Sequence, residues 1–229
     1  MASAGERRIP GSRSATAPDR LLPRGRHDLP REFVARTQRD RLIDAMARTV
    51  AAKGYPGASL VEVCAAAGVS TRAFYQHFAD KEACFLAAFD RGVMLLQGIV
   101  GDVYSMPAPW PERIHRGLDT LLRMLAAEPA FASLAVVEVL AAGPTARARR
   151  RLLLEGYAAF FADAPRPDGL PEGVVTAVIA GVYGVIYDFA AGGRTAELPD
   201  QLPALVYLVV SPFMGPAAAL RAAAGSLEE

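Results

Sequence analysis

Ser59–Phe78 reads SLVEVCAAAGVSTRAFYQHF and runs straight into Asp80-Lys81-Glu82. Ser59 and Glu62 have the spacing of a capping box, in which the serine oxygen serves one orphan backbone N–H and the glutamate another. Leu60, Val63, Cys64 and Ala67 then fall at i, i+3, i+4 and i+7, a single apolar stripe along a short helix. Gly68 stands where that helix has to stop with positive φ, a conformation glycine adopts without steric cost. Ser70 caps a second helix whose inward residues are Phe74 and, past its end, Phe78. Thr71, Arg72, Ala73, Tyr75, Gln76 and His77 are left as its outward face. Stripe, glycine turn, serine cap and a short polar helix make a helix-turn-helix, whose second helix fits a DNA major groove. A buried three-helix bundle that never meets nucleic acid is the structural alternative.

Gly68-Val69-Ser70, Phe74-Tyr75, His77-Phe78 and Lys81-Glu82 match, with every spacing kept, the pattern that closes the DNA-binding domain of the tetracycline-repressor (TetR) family. The resemblance runs from about Arg36 to about Asp90. Cys84-Phe85-Leu86 departs slightly from the aliphatic residues usual there, and Phe85 can fill the same core position. The resemblance implies a sequence-specific transcriptional regulator, acting as a repressor that a small molecule releases from a palindromic operator. An activator, or a regulator that needs no ligand, is the alternative within the same class.

Composition agrees with that reading. Residues 1–90 carry 14 Lys+Arg against 10 Asp+Glu, net +4, and residues 91–229 carry 11 against 14, net −3. The basic excess therefore sits on the half that holds the motif, although the whole chain is close to neutral. An enzyme would need convergent His, Cys or carboxylate groups. The three histidines, His27, His77 and His115, are widely spread, and no H-x-x-x-H, C-x-x-C or glycine-rich phosphate loop occurs. No catalytic residue, metal site or cofactor is expected. Cys64 and Cys84 make no disulfide framework; Cys64 lies on its helix's inner stripe and reads as a small buried hydrophobe. The first 41 residues are arginine-rich without an apolar core segment, so no signal peptide is expected. The apolar run Val174–Tyr187, closed by Asp188, is short for a bilayer span. A cytoplasmic protein with no membrane contact is the expectation.

Beyond the motif the chain reads as helical throughout, an all-α protein of about nine helices. Residues 1–30 are expected to form a disordered basic arm and residues 31–95 the DNA-binding domain, with the motif at 59–78. Residues 96–229 are expected to form a helical ligand-sensing and dimerisation domain. Prolines 107, 109 and 111 punctuate the boundary, the first helix ends at Lys53-Gly54, Asp80 caps a longer helix to about Tyr104, and the last helix is broken around Pro212–Pro216.

Position within the motif assigns roles. Ser70, Thr71, Arg72 and Ala73 open the recognition helix and are the candidates for base contact, Arg72 suiting guanine N7 and O6. Tyr75, His77 and Lys81 match family positions that usually bind phosphate, and Lys53 and Ser59 are candidates on the opposite flank. Arg24 and Arg26 precede the first helix, where a basic segment suits a narrow minor groove. For the ligand pocket, residues that mix bulk and polarity are Trp110, His115, Met124, Phe131, Glu138, Tyr157, Phe161, Tyr183 and Asp188. Glu138 and Asp188 stand out as acids interrupting apolar helices. Arg147, Arg149, Arg150 and Arg151 read as a solvated helix face. The two last long helices are expected to form a homodimer surface, with Ala180, Gly181, Gly184 and Leu205 at the contact.

Overall fold

The computed structural model describes residues 8–14 and 29–225, and every regular element among them is helical. Nine α-helices follow in order: α1 (Arg31–Gly57), α2 (Leu60–Ala67), α3 (Thr71–Phe74), α4 (Lys81–Tyr104), α5 (Trp110–Ala127), α6 (Pro129–Ala132), α7 (Pro144–Gly156), α8 (Val174–Ala191) and α9 (Leu202–Ala223). A π turn, Ser133–Val137, and a 3-10 turn, Glu138–Leu140, continue α6, and two further 3-10 turns lie at Tyr157–Phe161 and Thr195–Gln201.

The local chemistry read from the sequence is in place. Glu62 N–H donates to Ser59 Oγ at 3.2 Å while Ser59 N–H donates to Glu62 Oε2 at 3.0 Å, closing the capping box. Gly68 has φ 60° and ψ 38°, the left-handed conformation that demands glycine, and Arg41 Nη2 lies close against it, donating to Gly68 O at 3.4 Å. Ser70 Oγ accepts from Ala73 N–H at 3.1 Å, and Asp80 Oδ1 from Ala83 N–H at 2.7 Å. Helix α1 breaks at Gly54, with φ 71°, and α9 at Gly215, between Pro212 and Pro216.

Helix α1 departs from the single stripe of a surface helix. Arg41 through Ala47 are all buried, because one face packs on α2 and α4 and the opposite face on α6 and the π turn. The core is consequently continuous across the two halves: Leu42, Phe74 and Phe85 belong to the same cluster as Phe131, Leu134 and Ile186. A second cluster, around Trp110, Phe161, Val206 and Phe213, fastens α5 and α9.

Two differences from the sequence reading concern the ends. Ile9 and Pro10, inside the stretch expected to be an arm without structure, are buried, and Gly11 N–H donates to Asp44 Oδ1 at 2.9 Å. Gly11, with φ 90°, approaches Ala130 and Ala47 so closely that a Cβ would sit 3.1–3.2 Å from their methyls. Ile9 is buried in the main core cluster, and Gly11 beside it lies in the seam between α1 and α6. Asp188 does not close the apolar run, and α8 reaches 18 residues. By length and composition, α4, α8 and the run Thr195–Ala223 are each long and apolar enough to cross a membrane. Of the most apolar windows of α8 and Thr195–Ala223, 22% and 33% respectively are buried within the protomer.

Candidate DNA-reading head and ligand cavity

Ser70, Thr71, Arg72, Tyr75 and Gln76 are exposed on one surface, with Ala73 half-buried beside them, while Phe74 and Phe78 anchor the turn from below. Tyr75 is 59% exposed and meets Phe74 edge to face, the ring centroids 5.6 Å apart. Arg39, which the sequence reading passed over, places its guanidinium 5.1 Å above the Phe78 ring at the edge of this surface. Arg31, Arg36 and Arg39, exposed along the first turns of α1, were legible as a basic run.

The other phosphate candidates have internal partners. Lys81 Nζ donates to Tyr55 O at 2.9 Å and to Ala58 O at 3.0 Å and lies 4.1 Å over the Tyr55 ring. It thus clamps the α1–α2 junction rather than reaching outward. Lys53 pairs with Glu62, and that hydrogen bond, with those from Ser59, holds the Glu62 carboxyl down at about 2. Ser59 Oγ is occupied by Glu62. His77 is half-buried with Nε2 3.2 Å from Gln38 Oε1. Burial, helped by Arg39, lowers its pKa, so near neutrality it presents an uncharged ring. Arg24 and Arg26 lie outside the described residues.

The C-terminal half holds a partly open cavity of about 120 Å³ lined from α4, α5, the α6–π segment, α7, the 3-10 turn Tyr157–Phe161, α8 and α9. Of the residues named for it from the sequence, Phe131, Tyr157, Phe161 and Tyr183 line it. The rest of the wall is aliphatic, with Leu96, Leu121, Leu153, Val182 and Ile186 among its residues. Sequence periodicity marks those residues as core and gives no sign that a void lies between them. Tyr157 is uncharged there, its phenol pushed up to about 12 by burial.

The remaining five are placed elsewhere. Trp110 donates Nε1–H to Phe160 O at 2.9 Å in the second cluster, and Met124 packs on the core outside the cavity. His115 is half-buried beside Gly225. Asp188 is exposed, so it is no buried acid seeking a partner. Glu138 accepts from Tyr55 N–H at 2.6 Å, joining the π segment to the end of α1. Among the dimer candidates, Ala180 is exposed and Gly184 faces open space. Leu205, by contrast, is 2% exposed, inside the protomer's own core. The exposed side of α9 carries Tyr207, Leu208 and Met214 instead. Of the arginine cluster, Arg149 pairs with Asp90 at 2.8 Å, Arg147 donates to Leu140 O at 3.3 Å, and Arg150 covers Tyr183. Cys64 and Cys84 are free, buried thiols whose pKa burial raises, which leaves them protonated and packed as hydrophobes.

Residues 42–88, the span from the buried core of α1 to the second turn of α4, match the family of bacterial regulatory proteins, tetR family. Residues 42–88 therefore carry a DNA-binding unit of the TetR type. The fold of the described residues, a helix-turn-helix followed by a helical C-terminal half, is shared with solved TetR-like regulators. The fatty acid degradation regulator FadR from Bacillus halodurans superposes with a TM-score of 0.64 at 18% identity, covering 78% of this chain and 97% of its own. FadR from Bacillus subtilis in complex with stearoyl-CoA gives 0.62 at 19%, covering 75% and 97%. A gamma-butyrolactone receptor, an ArpA-like protein, gives 0.60 at 20%, covering 84% and 98%. No curated protein matches the chain.

Proposed function

We propose that this protein is a TetR-family repressor that binds a palindromic operator as a homodimer and is released by a small molecule entering the C-terminal cavity. The observation that carries this reading is a bonded route from cavity wall to reading head. Tyr183, in the wall, donates its hydroxyl proton to Val136 O at 2.5 Å within the π turn. The next turn begins at Glu138, which holds Tyr55 N–H, and Tyr55 O in turn holds Lys81 at the start of α4. A ligand that displaces Tyr183 or the π turn shifts the junction that orients α2 and α3. π turns are irregular and frequent at functional sites, which suits one that must move. That FadR from B. subtilis, of similar fold, is in complex with stearoyl-CoA supports a small-molecule ligand here.

On this reading residues 31–95 are the DNA-binding unit and 96–229 the sensor and dimer unit. Ser70, Thr71, Arg72 and Ala73 face the bases. Tyr75 contacts phosphate together with the free N–H groups at the start of α4. Arg24 and Arg26 enter the minor groove. The dimer is built on the apolar face of α8 and α9 that each protomer leaves uncovered, through Ala180, Gly184, Tyr207, Leu208 and Met214. The protein acts in the cytoplasm. Selection of bound duplexes from a random pool, followed by footprinting at the adjacent promoter, tests this. A palindrome overlapping the polymerase site is expected; failure to enrich any sequence, or a footprint upstream with raised transcription, refutes the repressor reading.

A further inference from the structure

Resting on the cavity as the effector site, we infer that its ligand is an apolar chain ending in a single oxyanion, a carboxylate for preference, whose head is held by Arg150. On α7, Arg150, Leu153 and Leu154 fall at i, i+3 and i+4, one face of the helix, and Leu153 and Leu154 line the cavity together with Tyr157, which opens the 3-10 turn that follows. Arg150 therefore stands one turn beyond the cavity on the helix face that forms its wall. Its guanidinium carbon lies 4.0 Å over the ring of Tyr183, which is itself a wall residue. Its Nε is buried and has no hydrogen-bond partner, and no acid among the described residues pairs with it. Arg147, Arg149 and Arg151 on the same helix each have a carbonyl or carboxylate partner. A buried guanidinium donor without an acceptor is costly, and an oxyanion supplies the acceptor in the bidentate geometry arginine favours.

The wall itself excludes a charge in the body of the ligand. It offers aliphatic side chains, phenylalanines and uncharged tyrosines, and no acid or base lies in it. At about 120 Å³ it is a little smaller than a cavity of about 150 Å³ that holds benzene, so it suits a short, slender chain. A ligand whose head pulls on Arg150 also loosens the guanidinium from Tyr183, the first link of the route to the head.

Isothermal titration of the full-length protein, without DNA, with octanoate, octanol and octylamine tests this. Octanoate is expected to bind at least about tenfold tighter than octanol, the worth of one charge-assisted hydrogen bond, and octylamine not to bind. Arg150→Gln should erase the octanoate preference and leave octanol binding unchanged, and Arg150→Lys should restore part of it. Val182→Phe, which fills the cavity, should abolish both. Equal binding of octanoate and octanol, or a preference that survives Arg150→Gln, overturns the anchor while the cavity reading stands. Binding that survives Val182→Phe, or no binding of any of the three, overturns both.

Discussion

Replacing Glu138 by alanine removes the one carboxylate that ties the π segment to the end of α1. In the intact protein, Glu138 Oε2 receives Tyr55 N–H at 2.6 Å, a charge-assisted bond linking residues 83 apart in the chain. Such bonds are worth about 1.5–3 kcal/mol. Tyr55 is half-buried, so water partly replaces the lost acceptor and the lower end, about 1.5 kcal/mol, applies. For a chain of this size that lowers the melting temperature by roughly 3–6 °C. Glu138→Gln keeps a carbonyl acceptor and should lose about half as much. Backbone amide exchange over residues 51–58 isolates the effect. The Tyr55 amide should exchange faster in Glu138→Ala than in the parent, while amides of α9, remote from the link, should shift only with global stability. Operator affinity in the absence of ligand should change by less than tenfold, because the recognition helix is untouched. A melting temperature within 1 °C of the parent, with unchanged exchange at Tyr55, would refute the claim that this bond couples the halves.

Further outcomes are expected. Arg72→Ala should cost about 1–3 kcal/mol on the preferred operator and relax preference at one base pair, whereas Tyr75→Phe should weaken all duplexes alike; binding to single-base operator variants checks both. Leu208→Glu should halve the mass seen by light scattering and leave helicity intact, whereas Leu205→Glu, burying a charge inside the protomer, should unfold the chain, as circular dichroism would report. Burial, with Asp44 nearby, raises the pKa of Glu128, so the fold favours its protonated form and loses stability as pH rises from the ordinary glutamate range near 4.5 through the raised value. Glu128→Gln should therefore melt higher than the parent at pH 7 and no higher at pH 3.5. Gly68→Ala forces a left-handed alanine against Arg41 and should cost at least about 1–2 kcal/mol in urea unfolding.

What the sequence disclosed and what it hid divide along the range of the forces involved. Ser59 with Glu62, Gly68, Ser70 and Asp80 each act within four residues, so their chemistry could be read directly and recurs as hydrogen bonds in the fold. The apolar runs of α8 and α9 lack a polar face to fix their rotation, and that is how Leu205 was assigned to the outside although Leu208 is the residue left uncovered. The cavity is a property of how segments distant in the chain fail to fill space, which side-chain periodicity does not encode; aromatic bulk found Tyr157 and Tyr183 and equally selected Trp110, which packs elsewhere. Lys81 shows a third limit. Its position in the motif is conspicuous, yet its partners, Tyr55 O in the last turn of α1 and Ala58 O just past it, are placed by the break at Gly54.

The seat of Ile9 and Gly11 changes what the chain ahead of α1 is. Gly11, ahead of the stretch that holds Arg24 and Arg26, is bonded to Asp44, and Pro30, after it, leads into α1, so described residues on both sides of that stretch are tied to the fold. The Gly11 anchor lies in the seam between α1 and Ala130, beside the α6–π segment that walls the cavity. Removing residues 1–27 would therefore do two things at once, deleting the arginines and opening that seam, and only the paired exchange Arg24→Ala with Arg26→Ala separates a groove contact from a lost wedge.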